Sequence, residues 1–275
     1  MNDKLGWVIP LPLFLFIASA WIFVQTENEV RVQIGRAQKQ WRAGNYREAV
    51  ELYESVYKGS PKSQYADDVL WEAGTIYYVN FYDVDRALIS FHKLVTEYPD
   101  SPLVAESYLK LAQIHEVELA DLPKAIACWN QALSLVLHRE RRRQIRFYIG
   151  NAYFKLNQFG KALGELEFLM SAEQMDDITD QARARVGTIM QIQNRHEESV
   201  EYFSEVLEKT ACSDCRRTAR LGLIESYEFL GDLPKAMKVA QTLPTSEVSI
   251  QVKEDLLKRL GEKARYYDPG DSKNR

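Results

Sequence analysis

The chain is poor in the side chains that do chemistry. Among its 275 residues are three cysteines and four histidines, and neither set is spaced to hold a metal or to activate a nucleophile. His92, His115, His138 and His196 stand 23, 23 and 58 residues apart, so no H-E-x-x-H pair forms on one helix face. Cys212 and Cys215 have the C-x-x-C spacing of a zinc half-site or redox pair, but tetrahedral zinc needs two further ligands and none is paired nearby. The pair reads as a local bystander or, in an oxidising compartment, as a small disulfide. Cys128 falls between helix-packing positions, where a thiol acts as a small apolar group. Neither a Gly-rich phosphate loop nor a G-x-S-x-G elbow is present. The expectation is a protein that is not an enzyme and takes no metal or cofactor. With 35 Lys and Arg against 39 Asp and Glu the net charge is −4, which supplies no field to attract nucleic acid.

Charge is missing altogether from Leu5 to Val24. Twenty residues rising about 1.5 Å each cross the roughly 30 Å of a bilayer core, and Trp7 and Trp21 stand near the ends, as interfacial residues do. Pro10 and Pro12 are tolerated near the end of such a helix. Residues 1–28 are read as a single-pass transmembrane anchor. The alternative is a cleaved signal peptide, for which Lys4, the apolar run and Ala18-Ser19-Ala20 supply the order of charge, core and small-residue site. The apolar stretch continues past that site through Trp21-Ile22-Phe23-Val24, which favours the anchor. Lys4 precedes the span while Arg31, Arg36, Lys39 and Arg42 follow it, a balance that leaves the cytoplasmic side open. The form of the N-terminus is that of an export signal, so the rest of the chain is placed on the extracytoplasmic, periplasmic side.

Beyond the apolar run the sequence repeats. Asp121-Leu122-Pro123-Lys124-Ala125 recurs letter for letter at Asp232-Leu233-Pro234-Lys235-Ala236, a separation of 111, three times 37. Anchored on that alanine, small residues fall at Ala49, Ala87, Ala125, Ala162, Ser199 and Ala236, at intervals of 38, 38, 37, 37 and 37. Four residues on stand Tyr53, Phe91, Trp129, Leu166, Phe203 and Ala240, and seven on stand Val56, Leu94, Ala132, Leu169, Val206 and Leu243. That spacing is one face of a helix. A second helix precedes each anchor, with Ala37, Gly74, Ala112, Gly150, Gly187 and Ile224 lying 12 or 13 residues upstream. Three residues later come Gln40, Tyr77, His115, Tyr153, Met190 and Tyr227. Each unit is therefore a helical hairpin, and the offset of 13 in the second and third places one extra residue in their internal turns. Asp121 and Asp232 are suited to cap the second helix, with proline in its first turn.

Ala37, Gly44, Tyr46, Ala49, Tyr53 and Pro61 together resemble the signature of the tetratricopeptide repeat, over about residues 30 to 250. The family period is about 34, so 37 adds most of a helical turn per unit. The linkers at residues 61–66 and 99–105 resemble those of bacterial envelope members, of the outer-membrane assembly lipoprotein and Tol-Pal coordinator type. No cysteine follows the apolar run here, so lipid attachment is excluded. His196, Ser199, Ile224 and Ala240 depart from the family pattern. The resemblance implies an all-α, right-handed solenoid of six hairpins over residues 29–250. A capping helix over 251–267 would cover it with Val252, Leu256, Leu257 and Leu260, keeping Lys253, Glu254, Lys258 and Arg259 wet, and a disordered tail would fill 268–275.

It also implies that the helix face beside the small residues lines a groove. There the next position reads Gln38, Thr75, Gln113, Asn151, Thr188 and Glu225, all able to hydrogen-bond an extended peptide. Three residues further on are Trp41, Tyr78, Glu116, Phe154, Gln191 and Glu228, and Trp71 joins the aromatic end. The partner is expected to be a protein, presenting an extended peptide or helical segment. The acidic-tail clamp of the family requires Lys and Arg with Asn in consecutive units, and only Asn151 fits. Arg139-Glu140-Arg141-Arg142-Arg143, with Arg146, is read as a solvated helix start, the alternative being contact with an acidic partner or anionic lipid headgroups. The functional expectation is a membrane-anchored scaffold within a cell-envelope complex, the alternative being a holdase or translocon-associated chaperone with broad clients.

Overall fold

A computed structural model describes the backbone of residues 11–171, 176–210 and 212–267, and the side chains of these residues apart from 11–23, 209 and 267. The described elements are helices: α1 (Leu11–Arg42), α2 (Tyr46–Gly59), α3 (Ala66–Ile76), α4 (Val84–Glu97), α5 (Val104–Val117), α6 (Leu122–Leu135), α7 (Arg139–Lys155), α8 (Phe159–Met170), α9 (Asp177–Ile192), α10 (His196–Lys209), α11 (Ser213–Phe229), α12 (Leu233–Gln241) and α13 (Ile250–Tyr267). A π-helical turn, Tyr77–Phe81, continues α3. The helices pair in sequence as six antiparallel hairpins followed by α13. They divide into two compact units, residues 1–135 and 136–275.

Among the described residues no helix is long and apolar enough to cross a membrane. Residues 5–10 of the expected span, and the tail from 268, lie outside the described residues. From Leu11 the backbone is helical without a break into the first hairpin.

The packing rule read from the sequence is the one the fold uses. All six anchors, Ala49, Ala87, Ala125, Ala162, Ser199 and Ala236, are fully buried, and the residues four and seven positions on are at most 3% exposed. The upstream small residues admit the neighbouring helix. A Cβ built on Gly74 would stand 2.9 Å from the Phe91 ring, and one on Gly187 2.8 Å from Phe203. Gly222, in the following hairpin, closes on the same Phe203 ring from the other side.

Where the sequence departs from the family pattern, the volume is exchanged. In the sixth hairpin bulky Ile224 and small Ala240 have traded roles, and both are buried in one cluster with Leu233, Leu243 and Leu260. In the fifth, the Ser199 hydroxyl lies 3.2 Å from that of Ser226, and the His196 ring stacks on Phe229 at 3.7 Å.

The 37- and 38-residue hairpins differ in how the first helix ends. In four of them the chain turns through a left-handed residue, Gly44, Asn157, Asn194 or Gly231. The next amide then donates back five residues: Asn45 to Gln40, Gln158 to Tyr153, Arg195 to Met190 and Asp232 to Tyr227. This is the Schellman closure of a helix. The second and third hairpins absorb their extra residue by widening that loop to six: Asp83 donates to Tyr77 at 2.9 Å and Asp121 to His115 at 2.7 Å. In the second hairpin the last turn of the helix thereby becomes π-helical. Tyr82 and Ala120 hold the left-handed positions, with φ of 55° and 50°.

The capping helix packs Leu260, Leu256 and Leu257 against the sixth hairpin. Two expectations there are corrected. Val252 is half exposed, while Lys253 turns inward and donates to the carbonyls of Gln241 and Leu243 at 2.9 and 2.7 Å. The Gln241 oxygen ends α12 and the Leu243 oxygen lies just beyond it, so a cation there satisfies both and the helix dipole together. The arginine run is likewise not a purely solvated helix start. Arg143 is 4% exposed and ties α7 to the start of α9 through Asp176 at 2.9 Å and Thr179 Oγ1 at 2.8 Å.

Candidate functional site

In the first unit the inner face is formed by α1, α3 and α5. Gln38, Trp41 and Gln113 are exposed there and Glu116 is half-buried. Trp71 lies partly buried, its ring 5.4 Å from that of Phe91, and Tyr78 donates its hydroxyl to Glu118 at 3.1 Å. The Thr75 hydroxyl is enclosed and has no hydrogen-bond partner. One turn apart on α3, Asp68 and Glu72 have carboxyl pKa values pushed up, by burial first and then by Asp67 and Asp68 respectively. This face is aromatic and acidic.

In the second unit α7, α9 and α11 form the equivalent face, and its predicted residues are drawn into bonds of their own. The Gln191 amide donates to the Gly222 carbonyl at 2.9 Å and to Ser226 at 3.0 Å, joining α9 to α11. Thr188 donates to the Ala184 carbonyl within its own helix. Glu228 is held by Arg259 and Lys263 of the capping helix at 2.8 and 2.5 Å, and Glu225 is exposed. Asn151 and Phe154 converge on a residue that the sequence reading did not single out, Arg185. Its Nε donates to Asn151 Oδ1 at 2.9 Å, and its guanidinium carbon stands 4.6 Å from the centre of the Phe154 ring.

Arg185 lines a cavity of about 280 Å³ that crosses all three helices, with Phe147 on α7, Gln181 and Thr188 on α9, and Asp214, Cys215 and Thr218 on α11; the Asp214 carboxylate pairs with Arg217 at 3.3 Å. Burial pushes its guanidinium pKa down. No carboxylate among the described residues pairs with it. A half-buried cation fixed at one nitrogen, stacked on one face and facing a polar cavity is arranged to receive an acceptor from outside. The register held a signal for it: Arg185 stands two residues before the small residue Gly187, where the second hairpin carries Glu72.

The rim of this cavity includes Cys212 and Cys215, which are joined by a disulfide with Cα atoms 5.3 Å apart. The bond closes the first turn of α11, so the pair is the small staple considered from its spacing. The partly buried Cys128 thiol has its pKa pushed up, by burial and then by Asp121. Among the described residues no group of three or more His, Cys, Asp or Glu is arranged to hold a metal. His115 is 6% exposed with Nδ1 unpartnered, and its pKa is pushed down chiefly by burial; it fills a packing position.

Residues 34–102 match a family model described as tetratricopeptide repeat. No curated protein matches the sequence. Among solved structures, the chain is similar to a tetratricopeptide repeat protein from Parabacteroides merdae, at 16% identity and a TM-score of 0.56, over 90% of this chain and 95% of that one. It is also similar to PilW, a type IV pilus biogenesis factor, at 18% identity and a TM-score of 0.52, covering 84% and 97%. A third likeness is to MamA, at 21% identity and a TM-score of 0.52, covering 66% and 91%. These likenesses establish the fold, an all-helical tetratricopeptide-type repeat array.

Proposed function

We propose that the chain is a membrane-anchored, non-enzymatic scaffold that binds a protein partner along its inner helix face, within a cell-envelope complex. Arg185 carries this reading. Removing a cation from water costs free energy unless an anion or acceptor compensates it, and Arg185 spends its partly buried position on a cavity, not on an internal ion pair. A partner segment that brings an acidic side chain to Arg185, and lays neighbouring backbone against Gln181, Thr188 and Thr218, would satisfy that arrangement. The exposed Trp41 and half-buried Trp71 and Tyr78 of the first unit offer aromatic contacts of the kind that anchor partners. Fold likeness to PilW is compatible with an assembly role; it does not name the partner.

The anchor rests on the uncharged run from Leu5 to Val24 and on its helical continuation into α1. Tethering raises the local concentration of a partner at the membrane without any new contact. The Cys212–Cys215 disulfide favours an oxidising, extracytoplasmic compartment for the repeats.

The test uses the full chain in its native membrane, with a photo-crosslinking side chain at Thr188, in the cavity, or at Lys161, on the outer helix α8. The expected result is a discrete adduct from position 188 that is lost on Arg185→Gln. The same adducts from both positions, or adducts unchanged by Arg185→Gln, would remove the cavity from the reading.

A further inference from the structure

Both turns widened by an extra residue belong to the first unit, and they meet. Phe81, Tyr82, Asp83 and Asp85 of the second hairpin and Glu118 and Leu119 of the third line one open cleft of about 540 Å³. Its apolar side chains are left in water: Phe81 is 38% exposed, Leu119 46% and Tyr82 83%. Three of the residues that line it carry carboxylates and none carries a cation.

Local folding accounts for only part of this arrangement. Asp83 caps α4 through the Arg86 amide at 3.0 Å and pairs with the Arg86 guanidinium at 3.4 Å, and Asp85 lies in the same first turn, where the helix dipole favours negative charge. Glu118 has the opposite setting, because it ends α5, where negative charge opposes the dipole. The Tyr78 hydroxyl donates to it at 3.1 Å, which places the carboxylate and uses one of its roughly four acceptor positions. Neither Asp85 nor Glu118 meets a cation among the described residues. Tyr82 is harder still to explain from within. At the left-handed position of the four narrower turns stand Gly44, Asn157, Asn194 and Gly231, residue types that tolerate positive φ, whereas Tyr82 holds φ of 55° with its ring almost wholly in solvent. A bulky side chain in that region stores strain, and here burial gives nothing back.

We propose that the cleft is a docking surface for a basic, apolar protein segment, in which a Lys or Arg meets Glu118 and Asp85 while a neighbouring aliphatic or aromatic side chain lies against Phe81, Tyr82 and Leu119. Charge selects this occupant. Carboxylates lining the cleft repel anionic lipid headgroups and nucleic acid alike, whereas a cation brought between them gains charge-assisted bonds and the face of the Tyr82 ring. The apolar residues call for a partner that covers them, which a free small cation does not do. The cleft lies in residues 1–135 and the Arg185 cavity in residues 136–275, so this inference holds or fails independently of the Arg185 reading.

The test offers a library of random short peptides to the full chain in nanodiscs, and repeats the selection against Tyr82→Gly and against Asp85→Asn with Glu118→Gln. The glycine variant should keep the backbone of the turn and remove only the displayed ring, so its thermal midpoint is expected to be no lower than that of the parent, and loss of binding there is not loss of fold. Peptides lost on both variants are expected to join Lys or Arg to a large apolar residue. Synthesised singly, they should bind the parent about tenfold or more tighter than either variant, with affinity falling as salt is raised. Arg185→Gln should leave these peptides bound as tightly, which separates failure here from failure of that reading. The proposal is overturned by a selection that yields no peptide sensitive to both variants, or by sensitive peptides that are acidic or uncharged. Self-association of the chain, seen in sedimentation and abolished by Tyr82→Gly, would overturn it too, giving the cleft to a second copy.

Discussion

Glu72 and Arg185 occupy the same register position, two residues before the small residue of their first helix, one in each compact unit. Each is a charge partly withdrawn from water on the inner face, yet the signs are opposite. Glu72 is pushed towards its neutral form by burial and by Asp68, while Arg185 is steadied by a ring and an amide. The difference teaches that the repeat fixes where a side chain points and leaves its chemistry free. The two units carry one packing rule and two chemically different faces. Arg143 supplies an internal reference, being an arginine more deeply buried than Arg185 whose carboxylate lies inside the fold.

The sharpest way to break the comparison is to turn Arg143 into a second Arg185. Asp176→Ala removes its partner and the N-cap of α9 together, and should cost about 3–5 kcal/mol of unfolding free energy, read as a fall in the denaturant midpoint of the second unit. Burial pushes the Asp176 pKa up, but bonds from Thr179 and Arg143 hold it below its ordinary value. Its folded form thus binds fewer protons than the unfolded chain, so its stabilisation is present above about pH 4 and is lost as the pH falls below.

Next in size is the packing rule itself. Gly74→Ala and Gly187→Ala each drive a methyl into an aromatic ring and should destabilise by about 1–3 kcal/mol, by similar amounts in the two units. A strong inequality in thermal unfolding would show that the two do not share one packing rule.

Arg185→Gln should weaken recovery of the crosslinked partner by about tenfold or more, at a cost to stability of only about 1 kcal/mol from the lost bond to Asn151 and stack on Phe154. Its counterpart, Glu72→Gln, should act through pH. The folded pKa of Glu72 is raised, so stability is fully present below its unfolded value near 4.5 and declines as pH rises through the folded pKa. The variant should flatten that decline in urea titrations run across the acid range.

The smallest effect is at the widened turn. Tyr82→Gly relieves a left-handed tyrosine and should stabilise the second hairpin by about 0.5–1 kcal/mol, whereas Gly231→Ala at the corresponding turn should destabilise. Chemical denaturation of both variants checks the pair.

Much of this was legible because a helix face repeats at fixed spacing. The six hairpins, the buried anchors and the close glycines follow from counting. The extra residue at the second and third turns was visible too, but its fate was not: whether a helix opens a π turn or lengthens a loop depends on backbone bonds that leave no mark in composition. Exchange of Ile224 and Ala240 shows why a departure read position by position misleads, since volume is conserved across the pair. The inner face was the least legible. Gln191 and Asn151 carry the expected residue types, but which group each one bonds depends on residues some 31 to 35 positions away. Arg185 acquires its character from Phe154 and Asn151 in the preceding hairpin, a juxtaposition that exists only once helices are stacked.

The ring of Phe203 is held between Gly187 of its own hairpin and Gly222 of the next. One aromatic plane thus serves as a shared wall, and neither neighbour keeps a complete interior if the other departs. Opening of α11 should expose α10 in the same event, so amides in both helices are expected to exchange at one common rate. Hairpins five and six then behave as a single cooperative block, and a protease that reaches one will have reached the other.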